Sequence, residues 1–519
     1  MQQRTEVGLT LDRLFYQTLL RSPEKNIHYK GTSMTYYGLF QNVKRFSSAM
    51  SAKYGKGKAV GVLDWNTIPY MQMLFGIPLS GNMVHPVNMR LPPEEIIRTI
   101  SLANDEVLFF SEEFLPVVRK VEELKIIRKD NIYVINDRSS SGYNSYVDLM
   151  KTGSEGEGFT SRETDNASIL FTSGTTGNPK QIVYTHKKTT MAIWSILTLL
   201  SAYPGNSRIN SSDIIFSLIP NYHLWSWGTP YFATMIGADY VMDGRFDLQL
   251  TMDAIRMNKV TWMSMVPTML YGILSHPDAP DLRGLKVLVG GSPIPSGIVK
   301  AASDKGIELT SIYGFSDGLI AGIGSLSENV PDLYERNTLS TSGVIPAPLS
   351  EYRIRKSNDG KIGEINFRSP WLPNGYVGDD LKTAESFDSE RWFITGDAGY
   401  ILDGKVQISD RLKDLIKSGS EFIPSAMVES VMSDIPEIES VAIVGFPDEK
   451  WGERPMAYIK TKHGTTVDDQ HILIHLDNQV REGKIQKWWI PDKFIRIDAM
   501  PLTGTGKIDK KKLRNMAEE

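Results

Sequence analysis

A loop of small residues directly behind an apolar run constrains the fold of this chain most strongly. The run Ser168–Phe171 has the composition of a buried strand, and Lys180 closes the loop that follows it. Glycines let successive backbone N–H groups turn toward one point and form a concave anion site. Hydroxyl groups add donors, and the lysine adds a charge suited to phosphate. The sequence therefore predicts a polyphosphate site behind a strand, built from Thr172, Ser173, Gly174, Thr175, Thr176, Gly177 and Lys180.

This loop differs from a Walker A loop in two ways. Two residues separate Gly174 from Gly177, and Gln181 follows Lys180 where a Walker A loop has Ser or Thr for its metal. A flexible surface linker is the other interpretation of such a sequence. Linkers seldom follow an apolar strand directly, so the polyphosphate site is the stronger prediction.

Length and composition exclude several classes of protein. A chain of 519 residues exceeds one ordinary core, so we expect at least two domains. Its 57 basic and 61 acidic residues give a net charge of −4, which creates no positive field for nucleic acid. No apolar stretch of about 18 residues predicts a membrane span, and the polar N-terminus favours a cytoplasmic location. Because the chain has no cysteine, any thiol in its chemistry must come from another molecule.

Short β-rich runs alternate with longer helical patterns over most of the chain. This alternation predicts parallel α/β layers, with strands at Ala59–Leu63, Val107–Phe110, Ile132–Ile135, Ile214–Leu218, Val260–Met265, Lys286–Val289 and Ile307–Ile312. The stretches 138–166 and 355–362 are polar and are expected to be loops. Near residue 400, Asp403-Gly404 predicts a hairpin. A charged patch at 410–414 then precedes a compact unit with strands Ser440–Val444 and Met456–Lys460, so we expect a domain boundary in that patch.

The loop at 172–180 resembles the phosphate loop of the adenylate-forming superfamily, which includes acyl-CoA synthetases, firefly-type luciferases and peptide-synthetase adenylation domains. These enzymes use ATP to convert a carboxylic acid into an acyl-AMP and usually pass the acyl group to a thiol. The resemblance implies an α/β fold, with a large multi-layer N-terminal domain of stacked sheets at 1–410. A hinge would join it to a small mobile α+β domain at 411–519. It also implies that the chain binds ATP, Mg²⁺ and coenzyme A with a small-molecule carboxylic acid.

Two further segments resemble the nucleotide-binding motifs of this superfamily. Residues 313–317 match its Tyr-Gly-x-Thr-Glu motif, with Ser316 for Thr and Asp317 for Glu. The resemblance places Tyr313 against adenine, Ser316 at phosphate, and Asp317 with Thr172 at Mg²⁺. Asp is shorter than Glu by roughly 1.5 Å, a gap that a coordinated water can close. Residues 394–397 resemble the superfamily's Thr-Gly-Asp segment, in which the carboxylate of Asp397 would hold the ribose hydroxyls. The resemblance also implies that the nucleotide is bound by Gly291, Ser292, Ser311, Ile312 and Gly314.

The segment 221–228 places a histidine between aromatic residues after an apolar run. A half-buried packing cluster is the ordinary interpretation of such residues. The segment also resembles the His-x-x-x-Trp-Gly form of fatty-acid-activating members. There His223 would border the acyl site as a catalytic residue, Trp227 would gate the acyl tunnel, and Gly290 would lie against the acyl chain. This favours a medium- or long-chain fatty acid as the substrate.

Two C-terminal segments complete the resemblance. Residues 410–421 resemble the hinge of the superfamily. Arg411 would contact the nucleotide there. Lys413 would be the pivot of the hinge and would also lie close to the nucleotide. Lys417 would be a further nucleotide contact. Lys417 and Gly419 would face the active site while the thioester forms. Residues 501–510 resemble the segment of the catalytic lysine, which assigns Lys507. A placed cation there can hold the carboxylate against the α-phosphate of ATP.

Two other functions stay open at this stage. An enzyme of this kind can transfer its acyl group to a separate carrier protein instead of coenzyme A. The departures at Asp317 and Gln181 also fit a nucleotide-binding homologue with weakened catalysis. The sequence fixes neither the acyl chain length nor the oligomeric state, for which a homodimer is one option.

Overall fold

The structure is a computed structural model of the chain that describes residues 7–135, 142–156, 159, 161–173, 179–326, 330–356, 362–412, 414–419, 421–503 and 508–518. The helices are α1 (Arg13–Arg21), α2 (Tyr36–Tyr54), α3 (Ile68–Leu79), α4 (Pro93–Leu102), α5 (Leu115–Glu123), α6 (Tyr146–Lys151), α7 (His186–Ala202), α8 (Leu224–Trp227), α9 (Thr229–Ile236), α10 (Leu248–Asn258), α11 (Pro267–Ser275), α12 (Ser296–Asp304), α13 (Leu333–Thr341), α14 (Asp380–Ser386), α15 (Ser425–Met432), α16 (Asp469–Arg481) and α17 (Lys510–Glu518).

The strands are β1 (Asn26–Tyr29), β2 (Thr32–Thr35), β3 (Ala59–Leu63), β4 (Met83–Pro86), β5 (Asp105–Phe110), β6 (Ile132–Val134), β7 (Asn144–Ser145), β8 (Asn166–Ser173), β9 (Pro179–Thr185), β10 (Ile214–Ser217), β11 (Asp239–Met242), β12 (Trp262–Met265), β13 (Lys286–Gly290), β14 (Glu308–Phe315), β15 (Leu319–Ile323), β16 (Ile345–Pro346), β17 (Glu351–Lys356), β18 (Gly363–Arg368), β19 (Phe393–Leu402), β20 (Lys405–Arg411), β21 (Ile416–Ser418), β22 (Glu421–Ile423), β23 (Ile438–Asp448), β24 (Gly452–Thr461) and β25 (Lys493–Arg496). Each strand predicted from the sequence is present, with bounds that differ by a few residues at most.

The first sheet ends in the hairpin formed by the strands that flank the predicted phosphate loop. Its strand order is β7-β6-β5-β3-β4-β8-β9, and neighbours are parallel except for β8 and β9. Thr172 near the end of β8 pairs with Lys180 at the start of β9. The predicted strand before the loop is thus confirmed, and the two residues that flank the loop face each other.

The second sheet brings two predicted motifs onto neighbouring strands. Its order is β16-β15-β14-β13-β12-β10-β11-β1-β2, and the strands from β14 to β1 run parallel. Gly290 at the end of β13 pairs with Ile312 of β14. Parallel strands that end together place their following loops at one edge of the sheet, where α/β proteins bind ligands.

A third sheet is the antiparallel meander β17-β18-β19-β20. Asp403 and Gly404 connect its last two strands with φ of 50° and 74°. Two consecutive left-handed residues match the twist of a tight hairpin, so the predicted Asp-Gly turn is confirmed. The pairing of β19 with β20 places Asp397 opposite Arg411.

The chain after residue 415 forms its own apolar core. Strands β21, β22, β23 and β24 form one sheet, β25 pairs with β24, and helices α15 and α16 bury apolar residues against it. This core is separate from the large core under the first two sheets. The two parts touch where Ser296 of α12 donates a hydrogen bond to the carbonyl of Ser430 at 2.9 Å. Among the described residues, no helix combines the length and apolar content needed to cross a bilayer.

Asp64, at the end of β3, makes folding depend on pH. Its side chain is 1% exposed and accepts hydrogen bonds from Ser111, Thr67 and the backbone of Trp65. Burial raises its pKa to about 6. The folded chain therefore binds this proton more tightly than the unfolded chain, and the stability that the proton provides is present below about pH 4 and is lost as pH rises through about 6. A shift of about 2 pKa units corresponds to about 3 kcal/mol.

We expect Asp64→Asn to remove this pH dependence. Urea unfolding at about pH 5 and about pH 7.5 should show the unmodified chain losing roughly 1 kcal/mol more than the variant over that interval. An identical pH dependence in both chains would show that Asp64 does not carry the effect.

Candidate active site

Asp397 is the centre of a charged cluster between two sheets. Its Oδ2 accepts a hydrogen bond from the Tyr313 hydroxyl at 2.5 Å, and its Oδ1 lies 2.7 Å from Nε of Arg411. Thr395 fixes the strand locally, because its Oγ1 accepts from the Asp397 backbone N–H and donates to the carbonyl of Ile365. Each carboxylate oxygen can accept a second hydrogen bond. The cluster therefore joins three residues predicted from separate motifs.

Burial keeps the hydroxyl of Tyr313 protonated. Burial, reinforced by the charge of Asp397, raises the pKa of Tyr313 well above its usual value. The phenol is therefore a hydrogen-bond donor at neutral pH. The ring belongs to β14, and its centroid lies 5.6 Å from the centroid of the Phe315 ring.

A second cluster joins the predicted metal carboxylate to the predicted phosphate lysine. The hydroxyl of Tyr376 donates a short hydrogen bond to Oδ1 of Asp317. The Lys180 ammonium lies 5.0 Å from the centroid of the same ring. Burial raises the pKa of Asp317, with Tyr376 and Lys180 opposing the shift. Burial, with a contribution from Lys382, lowers the pKa of Lys180. A carboxylate and an ammonium are thus held in one partly desolvated site, where electrostatic interactions are stronger than in water.

The donor set fits Mg²⁺ bound together with a polyphosphate. Among the described residues no group of three or more His, Asp and Glu side chains could hold a metal ion. Mg²⁺ is normally held by one or two carboxylates, substrate phosphates and waters rather than by a cage of side chains. Asp317 and the hydroxyl of Thr172 are oxygen donors of the kind that Mg²⁺ prefers.

The turn after β14 is fixed by aromatic donors. Tyr184 of β9 donates to the carbonyl of Ser316 at 2.7 Å, and Nε1 of Trp371 donates to the carbonyl of Gly318 at 2.9 Å. These two bonds hold the turn that carries Ser316 and Asp317. The hydroxyl of Ser311, a predicted nucleotide-binding residue, donates a hydrogen bond to the carbonyl of Ser340 at 3.3 Å.

Residues 224–227 form a left-handed turn next to His223. All four have φ between 51° and 58°, and Gly228 follows at 78°. Left-handed backbone costs about 1–2 kcal/mol for each L-residue, so other contacts must outweigh it. Nε1 of Trp225 donates to Ser168 at 3.0 Å, and the Ser226 hydroxyl donates to the carbonyl of Ile219 at 2.7 Å.

This turn places Trp227 against the end of β13. Cη2 of Trp227 is 3.1 Å from the position that a Cβ on Gly290 would occupy. Such a Cβ would also lie 2.4 Å from Cγ2 of Ile312, so the glycine allows this close packing. One small cavity is lined by residues that include His223 and Gly291, and a second one is lined by apolar residues that include Ile193 and Leu319. Leu224 and Trp225 of the left-handed turn line the second cavity.

The predicted thioester-forming residues contact another hairpin of the C-terminal part. The backbone N–H of Lys417 donates to Oε2 of Glu453 at 2.9 Å, and that of Gly419 donates to the carbonyl of Trp451 at 2.6 Å. Gly419 has φ of 66°, and a Cβ there would lie 3.2 Å from the Trp451 ring. In this structure these contacts therefore lie within the C-terminal part.

Several predicted site residues lie outside the described residues. These are Gly174, Thr175, Thr176, Gly177, Lys413 and Lys507, together with the side chain of Ser173. Ser292 is exposed in the loop after β13, next to Gly291. Gly314 lies on β14, where a Cβ would approach the carbonyl of Leu319 at 2.4 Å.

Sequence reasoning missed the aromatic residues that build the second cluster. Tyr376, Tyr184 and Trp371 each hold the segment Ser316–Gly318 but are distant from it in the chain. Gly375 and Asp379 around Tyr376 indicate a turn, which is the signal that the sequence offers. That signal does not say what the tyrosine contacts.

Comparison with known proteins identifies the family. The AMP-binding enzyme family matches residues 15–377, and the C-terminal domain of AMP-binding enzymes matches residues 427–507. The long-chain-fatty-acid–CoA ligase of Thermus thermophilus is 29% identical over 503 residues, which cover 92% of this chain and 89% of that protein. The medium-chain-fatty-acid–CoA ligase of Ectopseudomonas oleovorans is 30% identical over 476 residues, which cover 87% and 84%.

Solved structures share the fold. The anthranilate CoA ligase AuaEII in complex with anthranoyl-AMP superposes with a TM-score of 0.86 at 21% identity, over 99% of this chain and 97% of that one. The predicted fold class, a large N-terminal and a small C-terminal α/β part, is confirmed. The chain belongs to the AMP-binding enzyme family, and its predicted membership of the adenylate-forming acid–thiol ligases is likewise confirmed.

Proposed function

We propose that this protein is an ATP-dependent acyl-CoA synthetase that acts on a medium- or long-chain fatty acid. The observation that carries the proposal is the register of β13 with β14. Gly290, against which Trp227 packs, is the direct neighbour of Ile312 in the predicted nucleotide motif. An apolar acyl group and an adenylate would therefore meet at this strand pair. The relatives named as long-chain and medium-chain fatty-acid–CoA ligases support a medium- or long-chain acid as the substrate.

In the first step, a carboxylate oxygen of the acid attacks the α-phosphorus of ATP and the bond to pyrophosphate breaks. Asp397 would bind the ribose hydroxyls, and Tyr313 would lie against adenine. Lys180 and the loop 172–180 would bind the departing phosphates. Lys507 would hold the carboxylate against the α-phosphate, because bringing two anions together is the main barrier. Mg²⁺, held by Asp317 and Thr172, would neutralise phosphate charge.

In the second step, the thiol of coenzyme A attacks the acyl carbonyl and AMP leaves. We divide the chain into an N-terminal domain at 1–410 and a mobile C-terminal domain at 411–519. Rotation about Lys413 would withdraw Lys507 and bring Lys417 and Gly419 to the acyl-AMP. Domain rotation is a known way for one site to serve two reactions. The separate core after residue 415 supports a C-terminal part that moves as a unit.

We expect Trp227→Ala to change the chain-length preference. Removing the ring that packs against Gly290 opens space at the end of β13, so the activity with longer acids should increase relative to that with short acids. The ratio of kcat/KM for a long acid to that for a short acid should rise by about tenfold. Trp194→Ala is the matched control, because Trp194 is 55% exposed on α7. An unchanged preference in Trp227→Ala would contradict the assignment of this side chain to the acyl path.

The test of the proposed function is AMP release with a panel of carboxylic acids from acetate to stearate plus benzoate, each with and without coenzyme A. The expected result is AMP release that needs both acid and coenzyme A and is greatest for a medium or long chain. Acid-dependent pyrophosphate exchange that coenzyme A does not affect would instead indicate a carrier protein as the acceptor. ATP binding without turnover of any acid would indicate a homologue that lost catalysis.

A further inference from the structure

We propose that Tyr376 is a positioning residue that sets the metal carboxylate Asp317 and the phosphate lysine Lys180 for binding of ATP with Mg²⁺. One side chain touches both groups. Its hydroxyl donates to Oδ1 of Asp317, and its ring lies under the Lys180 ammonium at 5.0 Å. The inference rests on the proposed function, because it assigns Tyr376 to the phosphate side of that site.

The backbone around Tyr376 is fixed to the strand that carries Lys180. The N–H of Val377 donates to the carbonyl of Gln181 at 2.9 Å. The N–H of Tyr376 donates to Oγ1 of Thr383 at 2.9 Å, which ties the turn to α14. The phenol is therefore held in place relative to β9 before any nucleotide binds. A rigid support of this kind is what a precise charge arrangement needs.

The two contacts of Tyr376 act on different groups. A hydrogen bond from a phenol to Oδ1 restricts the rotation of the Asp317 carboxylate. A ring face attracts a cation through its quadrupole, so it keeps the Lys180 ammonium beside the carboxylate without neutralising it. Asp317 stands where the superfamily has the longer Glu. The direction in which the Asp317 carboxylate points therefore matters more for reaching a metal ion bound to phosphate than it would for Glu. Tyr376 supplies that direction from 59 residues away.

The experiment separates the two contacts by measuring ATP binding calorimetrically while Mg²⁺ is varied, and again with Mg²⁺ removed. Tyr376→Phe keeps the ring and removes the hydroxyl. We expect the Mg²⁺ concentration for half-maximal tightening of ATP binding to rise by about tenfold, with metal-free binding unchanged. Tyr376→Leu removes both contacts, so metal-free ATP binding should also weaken by about threefold.

Tyr16→Phe is the matched control, because the Tyr16 hydroxyl donates to Asp12 at 2.6 Å in α1, away from the site. It should leave both measurements unchanged. A Tyr376→Phe enzyme with the Mg²⁺ dependence of the unmodified chain would overturn the inference. So would equal weakening with and without Mg²⁺, which a general structural defect produces.

A double variant tests whether Tyr376 acts through Asp317. With Asp317→Asn already present, Tyr376→Phe should cause no further change in the Mg²⁺ dependence of binding. Additive effects would overturn the inference. Because binding needs no acid, failure of acyl-CoA formation with these binding results intact would reject the proposed function alone. Absence of ATP binding by the unmodified chain would reject both.

Discussion

Lys507→Ala is expected to slow acid-dependent pyrophosphate release by about 100-fold, or about 3 kcal/mol of transition-state stabilisation. The proposed mechanism asks this lysine to hold a carboxylate beside the α-phosphate, and alanine leaves their repulsion unopposed. The second reaction should be largely spared. Acyl-AMP supplied to the variant together with coenzyme A should yield thioester at close to the normal rate, because Lys507 withdraws before that step.

The two half-reactions are measured separately, pyrophosphate release by a coupled assay and thioester formation by chromatography. Lys511→Ala is the matched control, since Lys511 is an exposed lysine of the same segment. It should leave both rates unchanged. Equal losses in the two half-reactions of Lys507→Ala would contradict a mechanism with two domain positions.

Lys510→Met is expected to destabilise the C-terminal part by about 3 kcal/mol. The Lys510 ammonium lies 2.7 Å from Oε1 of Glu429, and the two side chains are 17% and 19% exposed. Its removal leaves a largely buried carboxylate without its cation. Lys510 also donates to the Ser425 hydroxyl at 2.7 Å, and Ser425 in turn donates to Asp410 next to the hinge. Adenylation should therefore weaken as well, because this anchor lies three residues after Lys507.

The pair is tested by thermal unfolding of the single and double variants. Glu429→Gln keeps an acceptor for the backbone N–H of Ile443, which donates to Glu429 at 2.6 Å. Combined with Lys510→Met, it removes both charges and should recover most of the lost stability. A double variant as unstable as Lys510→Met would show that lost packing of the lysine, and not the uncompensated charge, causes the effect.

Local patterns predicted the parts of the fold that local chemistry determines. Strand β3 has the predicted bounds Ala59–Leu63 because an apolar run of this length is buried on both faces of a parallel sheet. The Asp403-Gly404 hairpin follows from the left-handed conformations that these two residues tolerate. The motifs around Tyr313 and Asp397 were found by their resemblance to segments of the adenylate-forming superfamily, and the structure places their side chains in contact.

Other features depend on contacts that a linear pattern does not contain. Helix α6 lies in a stretch that was expected to be a loop. It buries Tyr146 and Leu149, and Val147 and Met150 also pack against the core. The left-handed turn at 224–227 has no glycine and is imposed by buried partners such as Ser168. The hydrogen bond from Tyr376 to Asp317 joins the loop before α14 to the turn after β14. Tertiary packing decides all three.

The most direct test of the proposed function is a product balance with one medium-chain fatty acid, ATP, Mg²⁺ and coenzyme A. Chromatography would count AMP, ADP, pyrophosphate and acyl-CoA in the same reaction. The account predicts equal amounts of AMP, pyrophosphate and acyl-CoA, no ADP, and no product when the acid is omitted. Formation of ADP, or of AMP in amounts that do not depend on the acid, would contradict it.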